Sequence, residues 1–363
     1  MSPGERLAQD LTARFLKAGS FTSAPPLKSL PGWAAPALAK REELELEAAF
    51  VEGGFAGLSV QAVGHEEGGK EERVHIYVAK GSRRAIRELL TDGETVPVEV
   101  NRIGKLVVRP EQAATATNRG NLYIHETRIA CGSSCAPSGE SYSGTFGALV
   151  RKKGERNLDA LSNNHVFAAC NHTPVGMPIL SPSNADGGPN IRAPGEIARH
   201  HEISELRSGE PTLVNPCEED VAIARVPNAD LVSSWQGSED TGYDTPAKET
   251  VPASGLRVKK FGRTTGLTIG TVESHISSLM SLPYKMKHFA ATVWFRNIWA
   301  VVGDAGNPFA LPGDSGSLVV TEDGEQAVGL VFAVASYDYS FIIPIRRITG
   351  CFGGLSLVGG HGV

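Results

Sequence analysis

Three short stretches between residues 161 and 320 of the 363-residue chain set reactive side chains among turn residues and strand-like runs. The first is Leu161-Ser162-Asn163-Asn164-His165-Val166. The second is Glu219-Asp220-Val221-Ala222-Ile223-Ala224, an acid leading into an apolar strand. The third is Leu311-Pro312-Gly313-Asp314-Ser315-Gly316-Ser317-Leu318-Val319-Val320, a serine on a Gly-flanked turn that runs into a strand. Acyl transfer by a serine needs these residue types. A hydroxyl is a poor nucleophile at neutral pH, so an imidazole must take its proton as the new bond forms. A buried carboxylate holds that imidazole in the useful tautomer and stabilises the imidazolium. Glycines beside the serine let backbone N–H groups point at the developing oxyanion, each donor being worth ~3–4 kcal/mol.

Each stretch also has a plainer reading. A histidine after Ser-Asn-Asn suits a capped turn, an aspartate before Val-Ala-Ile-Ala suits a strand entrance, and Gly-Asp and Ser-Gly are ordinary turn dipeptides. Their conjunction decides. His, Asp and Ser occur in that order within one β-rich region, the chymotrypsin order and the reverse of the α/β-hydrolase order, and Ser315 lacks the Gly-x-Ser-x-Gly elbow.

The sequence resembles the chymotrypsin-fold (trypsin-like) serine proteases, and among them the bacterial relatives of plant NARROW LEAF 1. The resemblance is carried by Gly144-Thr145-Phe146-Gly147-Ala148-Leu149-Val150, Leu161 to Val166, Ala185-Asp186-Gly187-Gly188, Phe261-Gly262-Arg263-Thr264-Thr265-Gly266-Leu267-Thr268 and Pro312 to Ser317. It implies His165 as general base, Asp220 as its orienting acid and Ser315 as nucleophile, with the backbone N–H groups of Gly313 and Ser315 as the oxyanion hole. It places His165 and Asp220 in a first barrel and Ser315 in a second. It implies a serine endopeptidase acting on protein or peptide substrates without metal or organic cofactor. The rival function is a non-catalytic trypsin-like scaffold that binds peptides or partner proteins in the same cleft.

The chain departs from the family pattern in several places. No Ile-Val-Gly-Gly-like start follows a cleavable basic residue, so Asp314 needs a partner other than a freed N-terminus. Gly316-Ser317 follows the serine where two glycines are usual. No acid stands shortly before Ser315; Phe309 lies there instead, and with Phe332 and Ala333 it suggests a primary pocket for an apolar or small side chain.

The elements that must position these residues are mainly β. From Gly144 onward, short apolar runs recur between Gly, Pro, Asn and Asp turns with hardly any helical period. The expected fold is two antiparallel six-stranded β-barrels over 143–351, preceded by a small helical and α+β region. Residues 1–50 read as N-terminal helices, at 4–18 and 37–50, joined by a Pro-rich linker. Residues 51–110 read as a β-β-α-β module, with Val74, Ile76 and Val78 on one strand face, a helix from Ser82 to Leu90, and Val96, Val98 and Val100 in a further strand. Residues 111–142 read as a connector and 352–363 as a tail. Gly (41) and Pro (22) make up about 17% of the chain against roughly 12% on average, which suits a turn-rich fold.

Composition excludes other classes. Hydrophobic residues at 41% and charged residues at 21% describe a globular chain. A net charge of −5 gives no basic field for nucleic acid. The longest apolar run, Ala327 to Ala335, contains Gly329 and is too short for a membrane span. With no visible signal segment and five scattered cysteines, a cytoplasmic location is expected.

Several other patterns carry weaker chemistry. Gly64-His65-Glu66-Glu67-Gly68-Gly69-Lys70 has P-loop spacing, but Glu71 replaces the required hydroxyl and a turn fits better. Cys170, His172, His200, His201 and Cys217 include metal-binding types, yet no metal site is expected there. Cys131 and Cys135 are spaced too widely for most redox or zinc pairs. Gly303-Asp304-Ala305-Gly306 mimics the nucleophile turn with Ala in place of Ser and reads as a loop. Arg263 is either a substrate contact or, as favoured, a structural bond inside the second barrel. The helix at 4–18 packs on its own chain or docks a regulatory partner or second copy through residues 1–110.

Overall fold

The computed structural model describes residues 1–17, 21, 59–67, 72–80, 96–104, 106, 108, 120–187, 195–209, 215–335 and 339–363. The helices expected at 37–50 and 82–90, and most of the Pro-rich linker, lie outside these residues. Helix Pro3–Lys17 forms as expected, with Ser2 Oγ accepting the Glu5 N–H at 3.1 Å as its cap. Leu7, Leu11 and Phe15 recur every four residues, so they share one face and are buried together. That face lies on β1 (Ser59–His65) and β2 (Val74–Lys80), where it meets Val60, Val63, Val74, Ile76 and Val78. The helix therefore covers a sheet of its own chain. β2 pairs antiparallel with β1 and parallel with β3 (Val98–Arg102).

The half of the chain that carries His165 and Asp220 contains β4 (Ile124–His125), β5 (Arg128–Cys131), β6 (Ser134–Pro137), β7 (Gly144–Thr145), β8 (Ala148–Lys152) and β9 (Asp159–Ser162). It continues with β10 (Pro178–Ser181), β11 (Gly195–Ile203), β12 (Ala222–Arg225), β13 (Val232–Gln236) and β14 (Tyr243–Asp244). Residues 128–131 and 134–137, inside the stretch read as a connector, are thus buried strands. The half that carries Ser315 contains β15 (Lys248–Glu249), β16 (Arg257–Gly262), β17 (Gly266–Ile276), β18 (Met280–Lys285), β19 (Ala290–Phe295) and β20 (Ile298–Gly303). It continues with β21 (Leu318–Thr321), β22 (Gln326–Ala335) and β23 (Tyr339–Pro344), after which the chain returns to the first half as β24 (Leu355–Leu357).

The fold is mainly β, with one closed barrel and one half-barrel. Strands β16-β21-β22-β23-β20-β17 follow one another and β17 pairs back onto β16, closing an antiparallel ring of six. The other half is the half-barrel, an eight-stranded sheet in the order β24-β8-β9-β12-β11-β10-β6-β7. At one edge β7 is two residues long, pairs with β6, and donates its Thr145 N–H to the Ser315 carbonyl. At the opposite edge β24, from the stretch read as a tail, pairs with β8.

One apolar core runs through the three regions, joining Ala62 and Tyr77 to Val150 and Leu161 and to Leu330 and Ile343. The β18–β19 hairpin extends from the closed barrel, and β1 pairs with both β17 and β18. The N-terminal strands are therefore continuous with the sheet that frames the site. No described helix is long and apolar enough to cross a membrane.

Candidate active site

β9 and β12 pair in register, Ser162 opposite Ala222, so the residues beyond their paired ends come together. After Ser162 the chain enters a short helix, Asn164–Phe167, that presents His165. Asn163 donates from Nδ2 to the Asp220 carbonyl at 2.7 Å, fixing the two segments. Asp220 is wholly buried. Its Oδ1 accepts the His165 backbone N–H at 3.1 Å, and its Oδ2 lies 2.5 Å from His165 Nδ1. A carboxylate can only accept, so Nδ1 carries the proton and the neutral ring leaves Nε2 as its basic nitrogen.

Sequence reasoning missed the third group on this carboxylate. Tyr284, wholly buried in β18, donates its hydroxyl to Asp220 Oδ2 at 2.8 Å and meets the His165 ring edge-on, with centroids 6.0 Å apart. Burial raises the phenol pKa well above its ordinary value, and the Asp220 charge adds to this, so Tyr284 stays a donor. The only local signal was a polar-tipped ring at an inward position of an apolar strand. If Asp220 orients a working base, Tyr284→Phe lowers kcat by about 10-fold to 100-fold, matching loss of one hydrogen bond to a charged group. KM should hold, because the hydroxyl binds the carboxylate; a pH–rate profile and kcat identical to wild type would show that the contact has no such role.

Ser315 sits on a turn clasped by the half-barrel. Thr145 donates its N–H to the Ser315 carbonyl at 2.8 Å and its hydroxyl to the Gly313 carbonyl at 2.9 Å. The Thr145 carbonyl in turn accepts the Ser162 hydroxyl at 2.8 Å, three residues before His165. Gly316 has φ +95°, and a Cβ there would stand 2.2 Å from Ser162 Oγ and 2.3 Å from the Thr145 carbonyl oxygen. Only glycine allows this approach. Gly313 has φ +97°. Among the described residues, the N–H groups of Gly313 and Ser315 donate to no protein acceptor. No hydrogen bond joins the Ser315 hydroxyl to His165, a contact that is often long before substrate binds.

Asp314 finds its partners inside the closed barrel. The wholly buried carboxylate accepts from the N–H groups of Thr264 (2.7 Å), Thr265 (3.2 Å) and Leu311 (3.0 Å) and from the Thr265 hydroxyl (2.7 Å). Lys260 Nζ, equally buried, stands 3.3 Å away. Burial lowers the Lys260 pKa, and the facing carboxylate opposes that shift. The Thr264-Thr265 pair explains why the Gly262 to Gly266 stretch belongs to the site.

Arg263 bridges the two halves, where the sequence suggests bonds inside the second barrel. It grips Asp186 of the half-barrel through Nε (2.8 Å) and a terminal nitrogen (2.6 Å), both side chains being buried. The Gly120 N–H (2.9 Å) and the Ser134 hydroxyl complete the carboxylate. Burial alone would raise the Asp186 pKa, but the Arg263 hydrogen bonds and charge, helped by Ser134 and Gly120, bring it well below the usual carboxylate range. A depressed folded-state pKa contributes stability that is present above the unfolded value near ~4 and is lost as pH falls below it. Thermal unfolding of the wild type should therefore steepen in its pH dependence below about pH 4, while Asp186→Asn, already destabilised at pH 7, shows a shallower acid limb. Parallel acid limbs for the two proteins would contradict this.

The three residues expected to line a primary pocket do not lie in one cluster. Phe309 is wholly buried in the closed barrel with Val258, Val272 and Val319, whereas Phe332 packs on Phe295 with centroids 5.0 Å apart and neighbours Ala333 in the main core. All five cysteines are unpaired. Residues 304–306 form a short 3-10 turn whose Asp304 pairs with Arg257. Among the described residues, Cys170, His172, His200, His201 and Cys217 do not converge as metal ligands.

No protein-family model and no curated protein sequence matches the chain. It is similar to solved structures of proteases: Thermobifida fusca protease A, at 20% identity with a TM-score of 0.43, covers 64% of this chain and 100% of its own. Cellulomonas bogoriensis chymotrypsin, at 17% identity and a TM-score of 0.41, covers 63% of this chain and 97% of its own. Nocardiopsis protease gives the same identity, TM-score and coverage.

Proposed function

We propose that the chain is a serine endopeptidase in which Ser315, His165 and Asp220 form the catalytic triad. The observation that carries this reading is the buried Asp220 carboxylate holding His165 Nδ1 at 2.5 Å, on a strand end tied through Ser162 and Thr145 to the Ser315 turn. Ser315 Oγ attacks the substrate carbonyl carbon while His165 Nε2 takes its proton. The developing oxyanion is met by the free N–H groups of Gly313 and Ser315. The tetrahedral intermediate collapses as His165 returns the proton to the leaving amine, which departs and leaves an acyl-enzyme on Ser315. Water, deprotonated by His165, then attacks the ester, and the released serine regains its proton.

Asp314 already holds an ionic partner in Lys260, so the oxyanion turn needs no freed N-terminus to form. The narrower likeness to bacterial relatives of plant NARROW LEAF 1 rests on the motif stretches alone. Cleavage of a peptide library by wild type, compared with Ser315→Ala, tests the reading. Products that vanish in the variant support it, and the side chains found before the cut report the primary preference. A folded wild type without turnover would favour the peptide-binding scaffold.

A further inference from the structure

We propose that His65, Glu67 and His275 form a binding site for one divalent first-row metal ion, zinc being the best match to their donor set. His65 closes β1 and lies opposite His275 of β17 in antiparallel register. Directly opposed residues of such a pair project from the same face, and a residue two positions on follows them. Two imidazoles and a carboxylate are thereby brought together by backbone pairing, with their ligand atoms all within 4.8 Å of one another.

The distances are those of a site that needs little movement. Glu67 Oε1 stands 2.6 Å from His275 Nδ1 and 3.3 Å from His65 Nε2. Tetrahedral zinc with bonds of about 2.0–2.2 Å spaces its ligand atoms by roughly 3.4 Å. The cluster thus brackets the required spacing, and side-chain rotation of about 1 Å centres an ion. The parts are also anchored. The His275 ring is stacked on Trp299, with centroids 4.6 Å apart and planes 9° apart. The Glu67 N–H donates to Ser254 Oγ at 2.9 Å.

His65 is buried, and the ring nitrogen it turns toward Glu67 is Nε2, 3.3 Å from Glu67 Oε1, so Nε2 is the atom it offers an ion. Glu67 is 41% exposed, so the cluster opens to solvent on one side and leaves room for water as a fourth ligand. Two neutral imidazoles, one carboxylate and a borderline-soft ion are a known catalytic-zinc donor set, but here no peptidase residue is shared, and the ion would staple the N-terminal strands to the closed barrel.

Full-length protein stripped with a chelator and dialysed against zinc chloride tests the site by metal content. The wild type should retain one zinc per chain, and zinc should raise its thermal midpoint. Glu67→Gln, an exposed and nearly isosteric change, should weaken zinc by about 100-fold or more and abolish the thermal shift, with His275→Ala doing the same. A wild type that retains no zinc, or a Glu67→Gln protein that binds as tightly as wild type, overturns the proposal. Neither result depends on peptidase activity.

Discussion

Asp220→Asn should leave the protein folded and lower kcat on a peptide substrate by about 10⁴-fold, the size of effect that a wrong histidine tautomer has in triad enzymes. The argument rests on donors and acceptors. As a carboxylate, Asp220 accepts three hydrogen bonds, from the His165 backbone, His165 Nδ1 and Tyr284. An amide offers one oxygen and one NH₂ in the same space. With its oxygen kept at the Oδ1 position by the His165 backbone N–H, which can only donate, its NH₂ takes the Oδ2 position and faces His165 Nδ1, which must then give up its proton and become the acceptor. The proton moves to Nε2, the nitrogen that has to receive the Ser315 proton. KM should change little, since substrate does not touch the buried acid. Stopped-assay kinetics over a pH series measure the effect; a loss smaller than 10-fold would mean that His165 is not the working base.

Lys260→Met should destabilise the protein by about 3–5 kcal/mol and strip it of peptidase activity, because it leaves the Asp314 carboxylate buried without its counter-charge. Both side chains are fully buried, so solvent screening does little to soften the loss. Four hydrogen bonds remain on Asp314, but they come from neutral groups of residues 264, 265 and 311, and the turn that carries Gly313 and Ser315 is built on that carboxylate. Adding Asp314→Asn to Lys260→Met should recover part of the stability by removing the stranded charge. Urea unfolding of the three proteins reads this directly. Equal midpoints for wild type and Lys260→Met, or a double variant less stable than the single one, would show that the pair is not the anchor of the turn.

How far the site could be read from the sequence follows from where its contacts come from. His165 and Asp220 were legible because each stands in a short local pattern, and the strands that join them, β9 and β12, carry plain apolar runs. The Gly-flanked turn at Ser315 was legible for the same reason, since a positive φ and a close approach leave glycine as the only choice at 316. Tyr284, Lys260 and the Asp186 partner of Arg263 were not assigned, because they meet the site from 64, 54 and 77 residues away through tertiary packing that no local spacing encodes. The β18–β19 hairpin and the continuity of β1 with it were likewise invisible, as register between distant strands depends on packing rather than on the period of either strand. The half-barrel is a related case: alternation marked its strands, but a two-residue β7 that serves the Ser315 turn is too short to show a period. Of the His65 cluster, His65 and Glu67 lie in a glycine-rich stretch that has P-loop spacing and reads as a turn, while His275 stands far off in β17.

Labelling with a fluorophosphonate probe tests the central claim most directly, because the probe reacts only with a hydroxyl that a neighbouring base has activated. Mass spectrometry should find one adduct, on Ser315, in the wild type and none in Ser315→Ala, with labelling also lost in His165→Ala. A folded wild type that takes no probe, or an adduct that persists in Ser315→Ala, would contradict the account.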